Sequence, residues 1–178
     1  MGGRSLELEV KKAINGDKEA LLKLIMSEKD NYYKLAYVYM KNEHDALDIL
    51  QEMIVVLYKE IPKLKKLDSF YSWSKTILVN LCKKELSKRK KYEEVNLENM
   101  TAENAFNKSE NKIYLKSLIE NLNDNQKEVI RLRYYLDYTY EEISEIMEIP
   151  LGTVKSRINK GINKIRKIIG GDINDGFR

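Results

Sequence analysis

The chain has 178 residues, 43% hydrophobic and 34% charged, with a net charge of +4. That length suits one or two small domains with a packed core. A single cysteine, Cys82, excludes an internal disulfide framework and a cysteine-based metal cluster. No run approaches the roughly 18 apolar residues that span a bilayer, and the opening MGGRSLELEVKKAING lacks the apolar segment of a signal peptide, so no membrane insertion and a cytoplasmic location are expected.

Only Pro62 and Pro150 interrupt a chain rich in Leu, Ile, Lys and Glu, which predicts an all-α protein. A first helix starts near Leu6 and ends at Asn15-Gly16, where Asp17 can cap the next. EALLKLIMSEKDNYYKLAYVYMK continues with apolar residues three and four apart and is predicted as one helix. Asn42 is placed to cap EHDALDILQEMIVVLYKEI, which must stop at Pro62. Ser69 is placed to cap FYSWSKTILVNLCKKELSKRKK, with Cys82 as a small buried side chain. The stretch 92–111 is polar, Asn-rich and weakly periodic, and it is predicted as a flexible linker between two domains, 1–91 and 112–170, with a tail at 171–178.

Periodicity returns with IYLKSLIENL, a cap in NDNQ and the segment QKEVIRLRYYLD. Thr139 and Glu142 have capping-box spacing ahead of YEEISEIM. A turn at 148–150 leads into a long last helix. On a helical wheel Val154, Ile158, Ile162, Ile165 and Ile169 share one face of that helix. Ser156, Asn159, Lys160, Asn163 and Lys167 lie opposite, flanked by Arg157 and Lys164. A short helix, a tight turn and a second helix with an aliphatic stripe and a basic back make a helix-turn-helix, whose second helix is built to enter the major groove.

Charge is segregated along the chain. Residues 83–91 carry six bases and one acid, 151–169 carry six bases and no acid, and 137–148 carry five acids and no base. Solvated helix faces mix signs, so two separate basic patches are the footprint of a polyanion binder with two contact points. Twelve tyrosines, including the runs NYYKLAYVY and RYYLDYTY, sit at helical spacing and are expected mostly in the core, as is Trp73. His44 stands alone before an acidic helix and is expected to be exposed.

The run NLNDNQKEVIRLRYYLDYTYEEISEIMEIPLGTVKSR resembles the C-terminal domain of the extracytoplasmic-function (ECF) sigma factors of the sigma-70 family. Ser144 stands where that family usually has alanine, and Lys127 where arginine is frequent. HDALDILQEMIVVLYKEI and SFYSWSKTILVNLCKKELSKRKK are similar to two helices of the family's N-terminal domain, with Lys75, Thr76 and Glu85 as departures. The YVYMKNEHDALDILQE run looks most like members from low-GC Gram-positive bacteria that answer envelope damage.

The resemblance implies a sigma-2-like helical bundle and a sigma-4-like helix-turn-helix joined by the linker. It implies core RNA polymerase and promoter DNA as partners, and an anti-sigma factor, membrane-anchored in many members, as the restraint. Asp48, Gln51 and Glu52 share one face of an acidic helix and would dock on polymerase, where carboxylates accept bidentate hydrogen bonds from arginine. Asn80, Lys83, Lys84, Lys88 and Arg89 would meet the −10 element, Asn80 at the flipped base and the cations at phosphates. Lys155, Ser156, Arg157, Asn159 and Lys160 would read the −35 element. The rival reading is an autonomous helix-turn-helix regulator that binds a palindromic operator without polymerase. No paired nucleophile and base, metal-ligand cluster or phosphate loop is present in the sequence, so neither catalysis nor a cofactor is expected.

Overall fold

A computed structural model describes residues 3–95 and 117–175. Every regular element among the described residues is helical. In chain order they are α1 (Gly3–Ile14), α2 (Lys18–Ser27), α3 (Lys29–Met40), α4 (Glu43–Glu60), α5 (Phe70–Val95), α6 (Asp124–Tyr135), α7 (Tyr140–Met147) and α8 (Leu151–Asp175). The chain divides into two compact units, one carrying α1 to α5 and one carrying α6, the start of α7 and α8.

In the first unit the predicted punctuation is in place. Gly16 takes φ +95, and the Asp17 carboxylate accepts from the Ala20 N–H at 3.0 Å. The Asn42 side chain accepts from the Asp45 N–H at 2.8 Å and starts α4. Pro62 sits in a 3-10 turn, Ile61–Lys63, that ends α4. Two details differ from expectation. The single helix expected after Asp17 is two, broken at Glu28 (φ −117, ψ 11). The Ser27 hydroxyl donates to the Leu24 carbonyl at 2.8 Å, a local bond that competes with helix continuation. Ser69 does not cap α5, because its hydroxyl donates to the Lys66 carbonyl in a second 3-10 turn.

Helix α4 buries Ala46, Ile49, Met53 and Leu57, spaced three and four apart. It packs on α3, which buries Tyr32, Leu35 and Ala36, and on α5, which buries Phe70, Leu78, Val79 and Cys82. The Tyr32 hydroxyl and the Ser74 hydroxyl share a buried hydrogen bond of 2.7 Å between α3 and α5. Leaving one partner without the other would strand a polar group in the core. Lys75, a departure from the family pattern, is paired with Glu28 at 3.4 Å. Burial pushes the Cys82 thiol up to about 12, the state of an inert packing residue.

One polar link ties the start of α4 to the basic end of α5. The Arg89 guanidinium donates to Asp45, which also accepts from the Asn42 amide, and Arg89 Nε donates to Glu85 at 3.2 Å. Helix α5 runs to Val95, four residues past the point where the helix was expected to end. The rest of the linker expected at 92–111 lies outside the described residues.

In the second unit residues 117–120 are helical and bury Leu118 and Ile119. Asn123 and Gln126 form a full capping box at the start of α6. Lys127, in the family's arginine position, pairs with Glu120 at 2.9 Å. Thr139 and Glu142 form the predicted second box, with the Glu142 N–H donating to the Thr139 hydroxyl at 3.1 Å and the Thr139 N–H donating to the Glu142 carboxylate at 2.8 Å. Helix α8 crosses α6 closely. A Cβ at Gly161 would stand 2.5 Å from Ile130 Cδ1, so hydrogen at this position allows the approach.

That crossing corrects the wheel. Val154 and Ile158 are buried as expected, but the third buried position is Gly161, while Ile162, Ile165 and Ile169 are half-buried. A glycine contributes no apolar side chain to a wheel, so this close approach was invisible to it. The helix then continues to Asp175, into the segment expected as a tail.

Two stability changes follow. Gly161→Val should lower the stability of the second unit by about 1–3 kcal/mol through overpacking. Ile130→Val, which removes the opposing Cδ1, should restore part of that loss in the double variant, as read by urea denaturation followed by circular dichroism. For the α4–α5 link, Arg89 holds the Asp45 carboxyl down at about 2, so the carboxylate stabilises the fold above the ordinary carboxylate range and loses that contribution as pH falls toward 2. Asp45→Asn should cost about 1 kcal/mol at neutral pH, since water screens a guanidinium whose side chain is 40% exposed. The gap between the two proteins should close as pH drops from about 4 toward 2 in parallel thermal melts.

Candidate nucleic-acid and polymerase interfaces

The stripe that α4 buries decides what it shows. With 46, 49, 53 and 57 turned inward, Asp48, Gln51 and Glu52 are all exposed on the opposite side, as their spacing predicted. Four apolar residues are exposed with them: Leu47, Ile54, Val55 and Tyr58. The sequence reading missed these four, although the wheel that set the buried register leaves them outside it. Acceptors interleaved with exposed aliphatic and aromatic groups make a surface suited to a protein partner that brings arginine or lysine and apolar side chains. His44 is exposed and bonds Asp48 at 3.1 Å. His44, Asp45 and Asp48 offer ligand atoms within 4.8 Å of one another, but Asp45 is already engaged by Arg89 and Asn42.

Helix α5 buries Leu78, Val79 and Cys82 and exposes Asn80, Lys83, Lys84 and Lys88. The amide of Asn80 and three ammonium groups thus share one side over slightly more than two turns. Lys88 is 3.5 Å from Glu85. Arg89 is the exception among the residues expected on DNA: it is half-buried and turned to Asp45 and Glu85. The acid that claims it lies 44 residues away in sequence, beyond the reach of a helical wheel. The turn before α5 adds two exposed cations the sequence reading did not single out, Lys65 and Lys66. Trp73 is half-buried against Phe70, with centroids 6.1 Å apart. The tyrosines correct expectation more broadly: among the ten whose side chains are described, only Tyr32 and Tyr138 are buried. A phenol satisfies its hydroxyl with water at a surface, so helical spacing alone does not send it inward.

In the second unit the turn between α7 and α8 is fastened at both ends. Glu148 takes φ 53, and the Ile149 N–H donates to the Ser144 carbonyl at 3.1 Å. The Ser144 hydroxyl donates back to the Ile149 carbonyl at 2.6 Å, so serine in the family's alanine position closes the turn. The Thr153 N–H then donates to the Pro150 carbonyl at 2.8 Å as α8 starts. From this start Lys155, Ser156, Asn159 and Lys160 are exposed and Arg157 is half-buried beside them. Lys164 is not part of that outward set in the same way, because its ammonium donates to the Asn121 carbonyl at 2.7 Å. The first two turns of α8 therefore present donors and amides, and residues 151–169 contain no aspartate or glutamate. The chemistry of such a face suits phosphates and the purine acceptors of a major groove.

Residues 24–92 match the sigma-70 region 2 family and residues 118–167 match the sigma-70 region 4 family. The chain is 30% identical to the ECF RNA polymerase sigma factor SigW of Bacillus subtilis (strain 168), over 91% of this chain and 97% of that one. It is 31% identical to the RNA polymerase sigma factor SigV of the same organism, over 84% and 90%. Among solved structures, the sigma factor RpoE bound to the anti-sigma factor NepR from Bartonella quintana has the same fold, with a TM-score of 0.67, 18% identity and coverage of 84% and 96%. A structure of CnrH with the cytosolic domain of CnrY matches with a TM-score of 0.67 and 17% identity, over 94% and 98%. With region 2 carried by α2 to α5 and region 4 by α6 to α8, this chain belongs to the ECF sigma factors of the sigma-70 family.

Proposed function

We propose that the two units divide the work of promoter recognition. The exposed face of α4, with Asp48, Gln51 and Glu52 among Leu47, Ile54, Val55 and Tyr58, docks on core RNA polymerase. The exposed side of α5 meets the −10 element, with Asn80 at a base pulled out of the stack and Lys83, Lys84 and Lys88 on the unpaired backbone. The start of α8 enters the major groove of the −35 element through Lys155, Ser156, Arg157, Asn159 and Lys160. The segment that follows α5 joins the two. The observation that carries this reading is the separation of surface chemistry: an acidic and apolar face on α4, basic and amide faces on α5 and α8.

An anti-sigma factor as restraint is supported by the related sigma factor solved with one. An envelope-stress role in a low-GC Gram-positive bacterium is supported by the two Bacillus relatives. A cytoplasmic site of action agrees with the absence, among the described residues, of a helix long and apolar enough to cross a membrane. The chain acts by binding and orienting; the chemistry of RNA synthesis stays with polymerase.

The experiment is reconstitution with core polymerase. The chain should co-elute with it and create start sites on a promoter library that vanish when it is omitted; folded protein that binds operator DNA alone and ignores polymerase would return the autonomous-regulator reading. Arg157→Ala should lower promoter affinity by about 1–3 kcal/mol and relax selectivity at one −35 position if it reads a guanine, whereas a loss uniform across sequences would make it a phosphate contact. Asn80→Ala should leave co-elution with polymerase unchanged and reduce permanganate reactivity of the melted −10 strand.

A further inference from the structure

Arg89 lies within the most basic stretch of α5, yet its guanidinium is committed to carboxylates of its own unit. It donates to Asp45 in the first turn of α4 and, through Nε, to Glu85 one turn back on α5 at 3.2 Å. Asp45 in turn is fixed from behind. Its backbone N–H donates to the Asn42 side chain at 2.8 Å, and the Asn42 amide donates to its carboxylate. The Asp45 side chain is only 18% exposed, and Arg89 is the cation it faces. The link therefore joins the capped start of the helix that carries Asp48, Gln51 and Glu52 to the helix end that carries Lys83, Lys84 and Lys88. A planar guanidinium with donors on two sides can bridge two carboxylates from different helices, which an ammonium does with less orientation.

We propose that Arg89 is a positioning residue rather than a DNA contact: its bridge to Asp45 and Glu85 sets the basic end of α5 against α4, so that docking through α4 delivers the −10 face in one orientation. This rests on the reading of α4 as the polymerase face and α5 as the −10 face. The lowered titration of Asp45 agrees with a pair that is made at every physiological pH.

A phosphate contact and an internal bridge respond oppositely to loss of the acid. If Arg89 gripped phosphate, Asp45 would compete with DNA for it, and neutralising Asp45 would leave promoter binding unchanged or strengthen it. Removing Arg89 would flatten the dependence of log affinity on log salt by about 0.7 for one single-strand phosphate. If Arg89 is the bridge, either change breaks the same link.

The test uses reconstituted holoenzyme on a promoter that the wild-type protein opens. Asp45→Asn, Arg89→Ala and the double variant are compared for core co-elution, for permanganate reactivity at the −10 element and for the salt slope of promoter binding. We expect each single variant to lower open-complex yield by about five-fold. The double variant should be no worse than either single one, with the salt slope and co-elution at wild-type values. Arg89→Lys should recover part of the yield. A salt slope that falls by about 0.7 in Arg89→Ala, with Asp45→Asn at or above wild type, would overturn the proposal and put Arg89 on the DNA. Additive losses in the double variant would overturn it as well. If Arg89→Ala unfolds at the assay temperature, Arg89→Met, which keeps the aliphatic stem without the charge, carries the same comparison. Failure of the wild-type protein to open any promoter with polymerase would instead sink the functional reading on which the proposal stands.

Discussion

Helix α4 has to bury Ala46, Ile49, Met53 and Leu57 against α3 and α5. At 3.6 residues per turn, that single requirement turns every other α4 position toward a partner or toward water. Asp48, Gln51 and Glu52 are exposed for this reason and no other, and Leu47, Ile54, Val55 and Tyr58 are left outside the core by it. Shifting the register back by one residue would turn Asp45, Asp48 and Glu52 inward in place of Ala46, Ile49 and Met53, at a cost of several kcal/mol for each unpaired acid. The same logic runs through α5, where burial of Leu78, Val79 and Cys82 puts Asn80 and the lysines on the far side.

The second unit is built on a smaller contact. Its core includes the crossing of α8 over α6, tightened by Gly161 against Ile130, with Leu118, Ile119, Leu122 and Ile143 also buried. The capping boxes at Asn123 and Thr139 set where α6 and α7 begin, and the Ser144–Ile149 exchange sets how the turn closes. These short-range bonds leave α8 little freedom in direction relative to α6, so its first turns are presented as a rigid surface. Rigidity matters for reading bases, because a bidentate contact tolerates little displacement.

Polar links inside each unit engage several of its cations with the fold itself. Lys75, Lys127, Arg131 and Lys164 all have partners within their own unit, as does Arg89. Counting bases along the chain gives two basic patches; in three dimensions Arg89 in the first and Lys164 in the second are bonded within their own units. The departures from the family pattern at Lys75, Lys127 and Ser144 become intelligible in the same way, as an ion pair, an ion pair and a turn-closing hydroxyl.

Local chemistry was readable from the sequence because its causes are local. Helical period, the caps at Asp17, Asn42, Asn123 and Thr139, the stop at Pro62, and the outward set on α4, α5 and α8 all depend on residues within a turn or two of one another. The motif order placed the chain in its family for the same reason. What tertiary structure alone decided has long-range causes. Gly161 in place of Ile162 at the core crossing and the capture of Arg89 by an acid 44 residues away each depend on which helix lies against which. A sequence specifies the face a helix must bury, but the partner of an individual charge or the closeness of a crossing exists only once two faces have met.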